Sequence, residues 1–595
     1  MLLEVKKTLS IMLAAALAAC RLAAAQVTVI EASAPARDWR HSSLTGNGTL
    51  GAMVEGHVAD ELIHLSHARL YMPMDPELDK GARDPFMAAC DLKICTGIET
   101  WSDYRRQTLL RTGECVVEAT DGDGRRYRRR VFASRPDAVI AIKIEDDARR
   151  EAFLALDAIP IDGCRDAKTF ETGVRRFEAG KREGCLYYRC EFSNRNQWND
   201  LAGYVVALAA GKGKQEAFVA IEPVLKDPLA PDPFPAMRKR LAAAVADGYE
   251  TLLSRHAPAQ GAIFSRVSLD LDCDDPRTGR CFAAGRYNII SSSGDDHVPN
   301  LQGLWAASWS EPWGAVYRES GHLPCATAFY NRGDTTEFNE CLLKWMERKG
   351  KDPRHAHHKT WRLPYRLMDG YRHTLDAGWL KRIEQIVKDG GARPAPSADD
   401  PDALIDALFD DRPPEIVTNA ALTAVVRATI AERLEGDGHS MKALDWTRLG
   451  LAACKLMDAA SAEKCLARLT DGYWTDGGGS FHAKGAAFNM DASGGYPYLV
   501  SEMLVHAEDD GVLFMPAKPA AWRSGKIKGL LLRGAVRLDE LSWNGDEWRA
   551  SLRFKDGTLL ELTQADAPDG RYLYKDRKNA ARSVKGRADE LQSVD

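Results

Sequence analysis

Net charge is what this chain most plainly lacks: 80 basic residues stand against 85 acidic ones over 595 positions, leaving −5 at neutral pH with histidine uncharged. A surface so balanced gives no electrostatic footprint for nucleic acid, which needs clustered lysine and arginine. No cysteine and histidine spacing matches a structural zinc site, and no short internal repeat runs through the chain. No metal or cofactor is expected. The apolar run Leu9 to Ala19 falls well short of the ~20 residues that cross a bilayer. What remains is a globular composition, 45% hydrophobic and 28% charged with 14 Trp and 17 Tyr, suited to a neutral ligand met through aromatic faces. At about 150 residues per domain, the length predicts roughly three or four packed units.

Lys6 and Lys7 ahead of that apolar run give it the flank of an export signal, so residues 1–25 read as a signal peptide of an exported protein, periplasmic, outer-membrane or extracellular. Two cleavage readings stand. Leu17-Ala18-Ala19-Cys20 resembles a bacterial lipobox, which would leave Cys20 acylated as a lipid anchor; Ala23-Ala24-Ala25 before Gln26 resembles an ordinary small-residue site. The lipobox is preferred. Setting Cys20 aside leaves an even number of the 13 cysteines, which an oxidising compartment could pair. Cys273 and Cys281, with Pro276 and Gly279 between them, are the best local pair, against the alternative of two free thiols.

The periodicities predict a multidomain α+β protein. Residues 27–270 alternate like an antiparallel β-sandwich, as in Ala138 to Ile144, with turn-formers such as Asp121-Gly-Asp-Gly between strands. The basic run Arg125 to Arg130 reads as a solvated strand face. Met237 to His256 carries Leu241, Val245, Tyr249 and Leu252 at helical spacing and reads as a linker helix. Residues 271–510 are helical, with amphipathic stretches at Phe338 to Met346, Leu375 to Val387, Asn419 to Leu434, Met441 to Met457 and Tyr498 to His506, and a loop from Ala392 to Asp402. Residues 511–575 return to strand patterning as a small C-terminal β domain, and 576–595 form a charged, frayed tail.

Three segments could carry chemistry. Leu44 to Gly56 is rich in glycine, but it leads into alternating residues rather than a helix N-terminus, so it is a tight loop between strands and not a phosphate cradle. Pro299-Asn-Leu-Gln-Gly-Leu-Trp305, followed by Trp309 and Trp313, supplies what a sugar ring needs: indole faces for stacking, and the amides of Asn300 and Gln302 for hydroxyls. Those tryptophans could equally fill a seam between sandwich and helices. Phe488-Asn-Met-Asp-Ala-Ser-Gly-Gly495 puts Asp491 in a glycine-rich turn before a helix, a place for a base or for a helix cap. His355, His357 and His358 read as exposed polar residues, with no supporting ligand spacing.

Together these segments resemble glycoside hydrolase family 95, the inverting α-L-fucosidases. The match runs through Gly46 to Met53, Gly285 to Tyr287, Asn300 to Trp305 and Phe488 to Gly495, with lesser agreement at Tyr127 to Ser134, Phe264 to Leu271, Trp446 to Gly450 and Met515 to Trp522. It covers about Trp39 to Met346 and about Ala420 to Gly557. The resemblance implies an N-terminal sandwich, an (α/α)6-type barrel holding the site, and a C-terminal β domain. It also implies inverting hydrolysis of terminal α-L-fucosides or similar α-L-galactosides of a glycan, with Asp491 on the base side.

Two departures qualify what it implies. Ser320 and His322 stand where the family has two water-holding asparagines, so the base side is altered. Only about 70 residues separate Met346 from Ala420, where the family has a much longer run of helices and one helix pair takes roughly 30 to 40, so several pairs of the barrel, among them the family's acid-bearing run, are expected to be missing or replaced. The resemblance places the general acid in a Ser-Pro-Glu-Asn motif of that run; Pro396-Ser-Ala-Asp-Asp400 is too weak an imitation of it, and no general acid is assigned. The leading expectation is an exported glycosidase with Asp491 as base, Ser320 and His322 near water or sugar, and Asn300, Gln302, Trp305 and Trp313 at the pocket. The rivals are a non-catalytic glycan-binding protein and a glycosidase whose acid comes from a new position.

Overall fold

The computed structural model describes residues 26–71, 86–159, 174–193, 200–211, 213, 215–294, 299–307, 332–333, 335–349, 362–387, 397–436, 438 and 440–576. Cys20, Trp309, Trp313, Ser320, His322, His355, His357 and His358 lie outside them. Within them the chain mixes helices with large antiparallel sheets.

The N-terminal part holds one sheet of nine strands and one of five. Val117, Tyr127, Val131 and Ile142 of the larger sheet meet Leu50, Ile63, Leu65 and Leu92 of the smaller in one apolar core, the layering that half-buried alternating strands adopt. The arginine run forms the solvated face expected of it only in part: Arg125 and Arg126 are exposed, and Arg129 and Arg130 are not. Arg129 is buried against the Glu61 carboxylate, and Arg130 bridges Glu114 at 2.7 Å and Glu250 at 2.6 Å. Glu61 and Glu114 are themselves buried and need those cations.

In place of the linker helix Met237 to His256 stand two helices, Phe234–Asp247 and Tyr249–Phe264, parted by Gly248 at φ 78°, a dihedral that no right-handed helix continues through. Met237, Leu241, Tyr249 and Leu252 cover Phe132, Ala141, Val205 and Phe218 on the outer face of the larger sheet. The pair is therefore a third layer as well as a link.

Helices Ala420–Glu435 and Ala443–Lys455 fall close to their expected bounds. The expected loop 392–402 gives way at its end to the helix Pro401–Asp410, whose N-cap Asp400 accepts from Ala403 N at 2.9 Å. The last helix starts well before Tyr498: it runs Asp491–Leu504 through Gly494, Gly495 and Pro497. A Cβ on Gly495 would meet Thr447 Oγ1 at 2.4 Å, so tight helix packing, and not propensity, explains a glycine there. The expected boundary at 270 falls inside the strand Ser268–Asp272, which pairs antiparallel with Ser524–Lys528 of the C-terminal sheet. Its Leu269 and Leu271 share one core with Trp446, Leu499 and Met503 of the helices and Leu538 and Leu552 of that sheet. Cys273 and Cys281, the best local disulfide candidates, are both free thiols.

Inside the sandwich, His64 is held by Asp91 at 2.7 Å and Glu55 at 3.1 Å. Burial alone would lower its pKa, but the two carboxylates raise it from 6.5 to about 9. A folded-state value above the unfolded one gives stability that is full below about pH 6.5 and lost as pH rises through about 9. Denaturant titrations at about pH 7 and about pH 10 should therefore show wild type losing about 2 to 3 kcal/mol more than His64→Gln. Equal losses in the two proteins would remove His64 from the alkaline limb.

Candidate functional site

The site begins with a hairpin. Strands Ser43–Gly46 and Leu50–Val54 pair so that Gly46 faces Gly51. A Cβ on Gly46 would meet Ser291 O at 2.7 Å, and one on Gly51 would meet Leu304 O at 2.4 Å. Having no side chains at these two points, the hairpin reaches the helix Arg277–Ser292 and the loop that follows it. Backbone groups then lock the approach: Gly48 N donates to Ser291 O at 2.9 Å, Tyr287 Oη to Leu44 O at 2.8 Å, and Trp305 Nε1 to Thr45 O at 2.9 Å. The three motif segments read from sequence thus meet in space.

The loop at 300–305 is shaped by Asn300. Its Oδ1 accepts from Gln302 N at 2.7 Å while its backbone N–H and C=O exchange bonds with Gly303. Asn300 therefore holds the loop's turn. Gln302 is buried and its Oε1 finds no partner among the described residues. Trp305 is fully buried with Leu44, Met53, Ile289, Phe488 and Met490, so of the two readings open for it the seam filler is the one observed.

From that loop the structure passes directly to Asp491. Leu301 O accepts from Met490 N at 2.8 Å, and Asn288 Nδ2 donates to Ser493 Oγ at 3.0 Å. Asp491 is the first residue of its helix, with its own N–H donating to Asn489 Oδ1 at 2.6 Å. The carboxylate is 1% exposed, in the place where unpaired N–H groups and the helix dipole favour negative charge. Oδ2 accepts from His482 Nδ1 at 2.8 Å, and Oδ1 has no hydrogen-bond partner among the described residues. A buried oxygen so placed can take a proton from water or a bond from a hydroxyl.

His482 escaped the sequence reading. It lies on Phe481–Ala483, which pairs with Ala486–Phe488 in a short hairpin just before Asp491. An apolar-polar-apolar strand beside a candidate carboxylate was the available signal. A second missed group, Arg37, donates Nε to His41 Nε2 at 2.9 Å, and His41 in turn reaches Asp476 at 3.3 Å, latching the sandwich to the segment before that hairpin. Burial, and then the Arg37 guanidinium, lowers the His41 pKa, which suits its role as acceptor. Of the expected site residues, Asp491, Asn300, Gln302 and Trp305 share this seam.

No family model matches the chain. Its sequence is similar to the curated protein "Probable alpha-fucosidase A" of Aspergillus oryzae (strain ATCC 42149 / RIB 40), 21% identical over 671 residues covering 84% of this chain and 92% of that protein. A solved protein from the human microbiome assigned as a kojibiose phosphorylase superposes at TM-score 0.57 with 9% identity, covering 90% of this chain and 99% of that one. A solved family 92 glycosyl hydrolase covers 91% of both chains at TM-score 0.41 and 10% identity. The phosphorylase likeness is one of fold. The chain is thus distantly similar to proteins named as glycan-active enzymes.

The seam makes its own demand. Gly51→Val would drive a branched side chain into Leu304 O, and should cost about 1 to 3 kcal/mol in denaturant unfolding, the usual penalty for overpacking. The same change at Gly180, a strand glycine with ordinary backbone dihedrals around whose Cβ position nothing lies within 4 Å, controls for glycine loss alone. An equal cost at both sites would refute the close-approach account.

Proposed function

We propose that this chain is an exported glycoside hydrolase of the family 95 kind, cleaving terminal α-L-fucosyl or similar α-L-galactosyl residues from glycans with inversion. One observation carries the reading: Asp491 is buried at a helix N-terminus with one oxygen held and the other unpartnered among the described residues. In an inverting reaction that carboxylate is the base. It takes a proton from water as the water oxygen attacks the anomeric carbon, while an acid on the opposite face protonates the departing oxygen.

Ser320 and His322 are assigned to that water or the sugar and Gln302 and Trp313 to the pocket, while Asn300 and Trp305 fix the loop behind it. The helices between 271 and 510 belong to an (α/α)6-type barrel, shortened between Met346 and Ala420. Export leaves Cys20 as a lipid anchor. Sequence similarity to a protein named as an alpha-fucosidase supports the substrate class. Phosphorolysis, the reaction in the phosphorylase's name, is disfavoured: its nucleophile is an anion, which a buried carboxylate repels, whereas water needs that carboxylate.

A second reading, a glycan-binding protein without turnover, is favoured by the short span before Ala420, where no acid is assigned. Kinetics on aryl α-L-fucoside and α-L-galactoside separate the two. Asp491→Asn should lose about 10²- to 10⁴-fold in kcat, the usual share of a general base, and the first anomer seen by NMR should be inverted. Equal turnover by both proteins removes Asp491 from the chemistry. Calorimetric binding of a fucosylated oligosaccharide with no turnover by wild type establishes the binding reading instead.

A further inference from the structure

We infer that His482 is the positioning residue of Asp491: it holds Oδ2 and so reserves Oδ1 for the reacting water. This rests on the reading of Asp491 as the base. A carboxylate accepts and cannot donate, so the 2.8 Å contact requires the proton on His482 Nδ1. With Oδ2 occupied, rotation of the carboxylate about its Cβ bond would break that bond, and Oδ1 keeps its direction. The backbone is pinned as well, by Asp491 N to Asn489 Oδ1 at 2.6 Å and Met490 N to Leu301 O at 2.8 Å.

The strand that carries His482 is anchored on both sides. Phe481 N donates to Tyr473 O at 2.9 Å, Asn489 N donates to Ser480 O at 2.9 Å, and the Phe481 ring meets His41 edge-on at 5.9 Å between centroids. Alternation along a strand sends Phe481 and Ala483 to one face and His482 to the other, where Asp491 lies. Phe481 is buried and the His482 side chain is 17% exposed against 2% for Asp491. The imidazole therefore reaches solvent while the carboxylate it holds does not. A rigid donor on a rigid hairpin is what fixes a reacting group to within a fraction of an ångström.

Two measurements test the assignment. In ¹⁵N-histidine-labelled protein, with the His482 signal identified by its absence in His482→Leu, wild type should show a protonated Nδ1, and Asp491→Ala should shift that nitrogen's signal as its acceptor is lost. A wild-type Nδ1 without a proton, or a signal indifferent to Asp491→Ala, overturns the pairing whether or not turnover is found. In kinetics, His482→Leu should lower kcat by about 100-fold with KM nearly unchanged, and His482→Gln, which keeps a donor, should recover part of it. Unchanged kcat in His482→Leu overturns the positioning role. Absence of turnover in wild type on a broad glycoside panel defeats the hydrolase reading alone, and the tautomer measurement then decides the pairing.

Discussion

The site depends on how closely a β-hairpin can approach a helix. Gly46 and Gly51 face each other across the hairpin, and each leaves room only for the backbone oxygen opposite it, Ser291 O and Leu304 O. Any side chain there would push the sandwich outward, and three bonds would lengthen together: Tyr287 to Leu44 O, Trp305 to Thr45 O and Gly48 N to Ser291 O. Since Trp305 and Met490 sit in one small apolar cluster, the displacement would carry to the residue next to Asp491. Sandwich and helices thus share the work of forming the site. The sandwich is its back wall.

The helix that begins at Asp491 is also fixed at its far end. Glu502 is fully buried near the helix C-terminus, where the helix dipole opposes a carboxylate. Arg332 and Lys455 meet it directly, and His506 lies 3.0 Å away. Burial, followed by Arg332, pushes the Lys455 pKa well below its ordinary value, and burial, followed by Lys455, does the same to His506. Arg332 does not give up its charge, so the irreducible pair is Arg332 with Glu502, hydrogen-bonded by two groups that can be neutral. Such a cluster adds little net stability against an apolar core. It does oppose sliding of the helix, because any shift strands a buried charge.

Much of this was legible in sequence because it rests on local signals. Glycines at fixed offsets, the Asn-Leu-Gln-Gly-Leu-Trp loop and the Asp491 motif each announce a backbone need, and the structure brings them together. What escaped depends on partners far away in the chain. The strand Ser268–Asp272 finds its mate more than two hundred residues on, at Ser524–Lys528. Arg129 reads as a surface charge until Glu61 is placed beside it. His482 is the exception: it lies nine residues from Asp491 across a two-residue turn with Gly485 at φ 67°, a local signal that the reading passed over. The early start of the last helix was hidden by Gly494, Gly495 and Pro497, which read as loop formers until close packing against Thr447 accounts for Gly495.

These elements assign different tasks to residues that look alike in sequence. Asn300, Gln302 and Trp305 all read as sugar contacts, yet Asn300 spends its Oδ1 on the loop's own backbone and Trp305 spends its indole N–H on Thr45. Only Gln302 keeps a buried oxygen without a partner among the described residues, as Asp491 does. A buried acceptor left unpaired costs about 1 to 3 kcal/mol, so each of these two oxygens has a bond to gain from a donor that reaches it. On the proposed reading, a sugar hydroxyl and the attacking water are such donors. The same accounting places His482 on the structural side of the site, because its Nδ1 proton is already committed to the carboxylate that would do the chemistry.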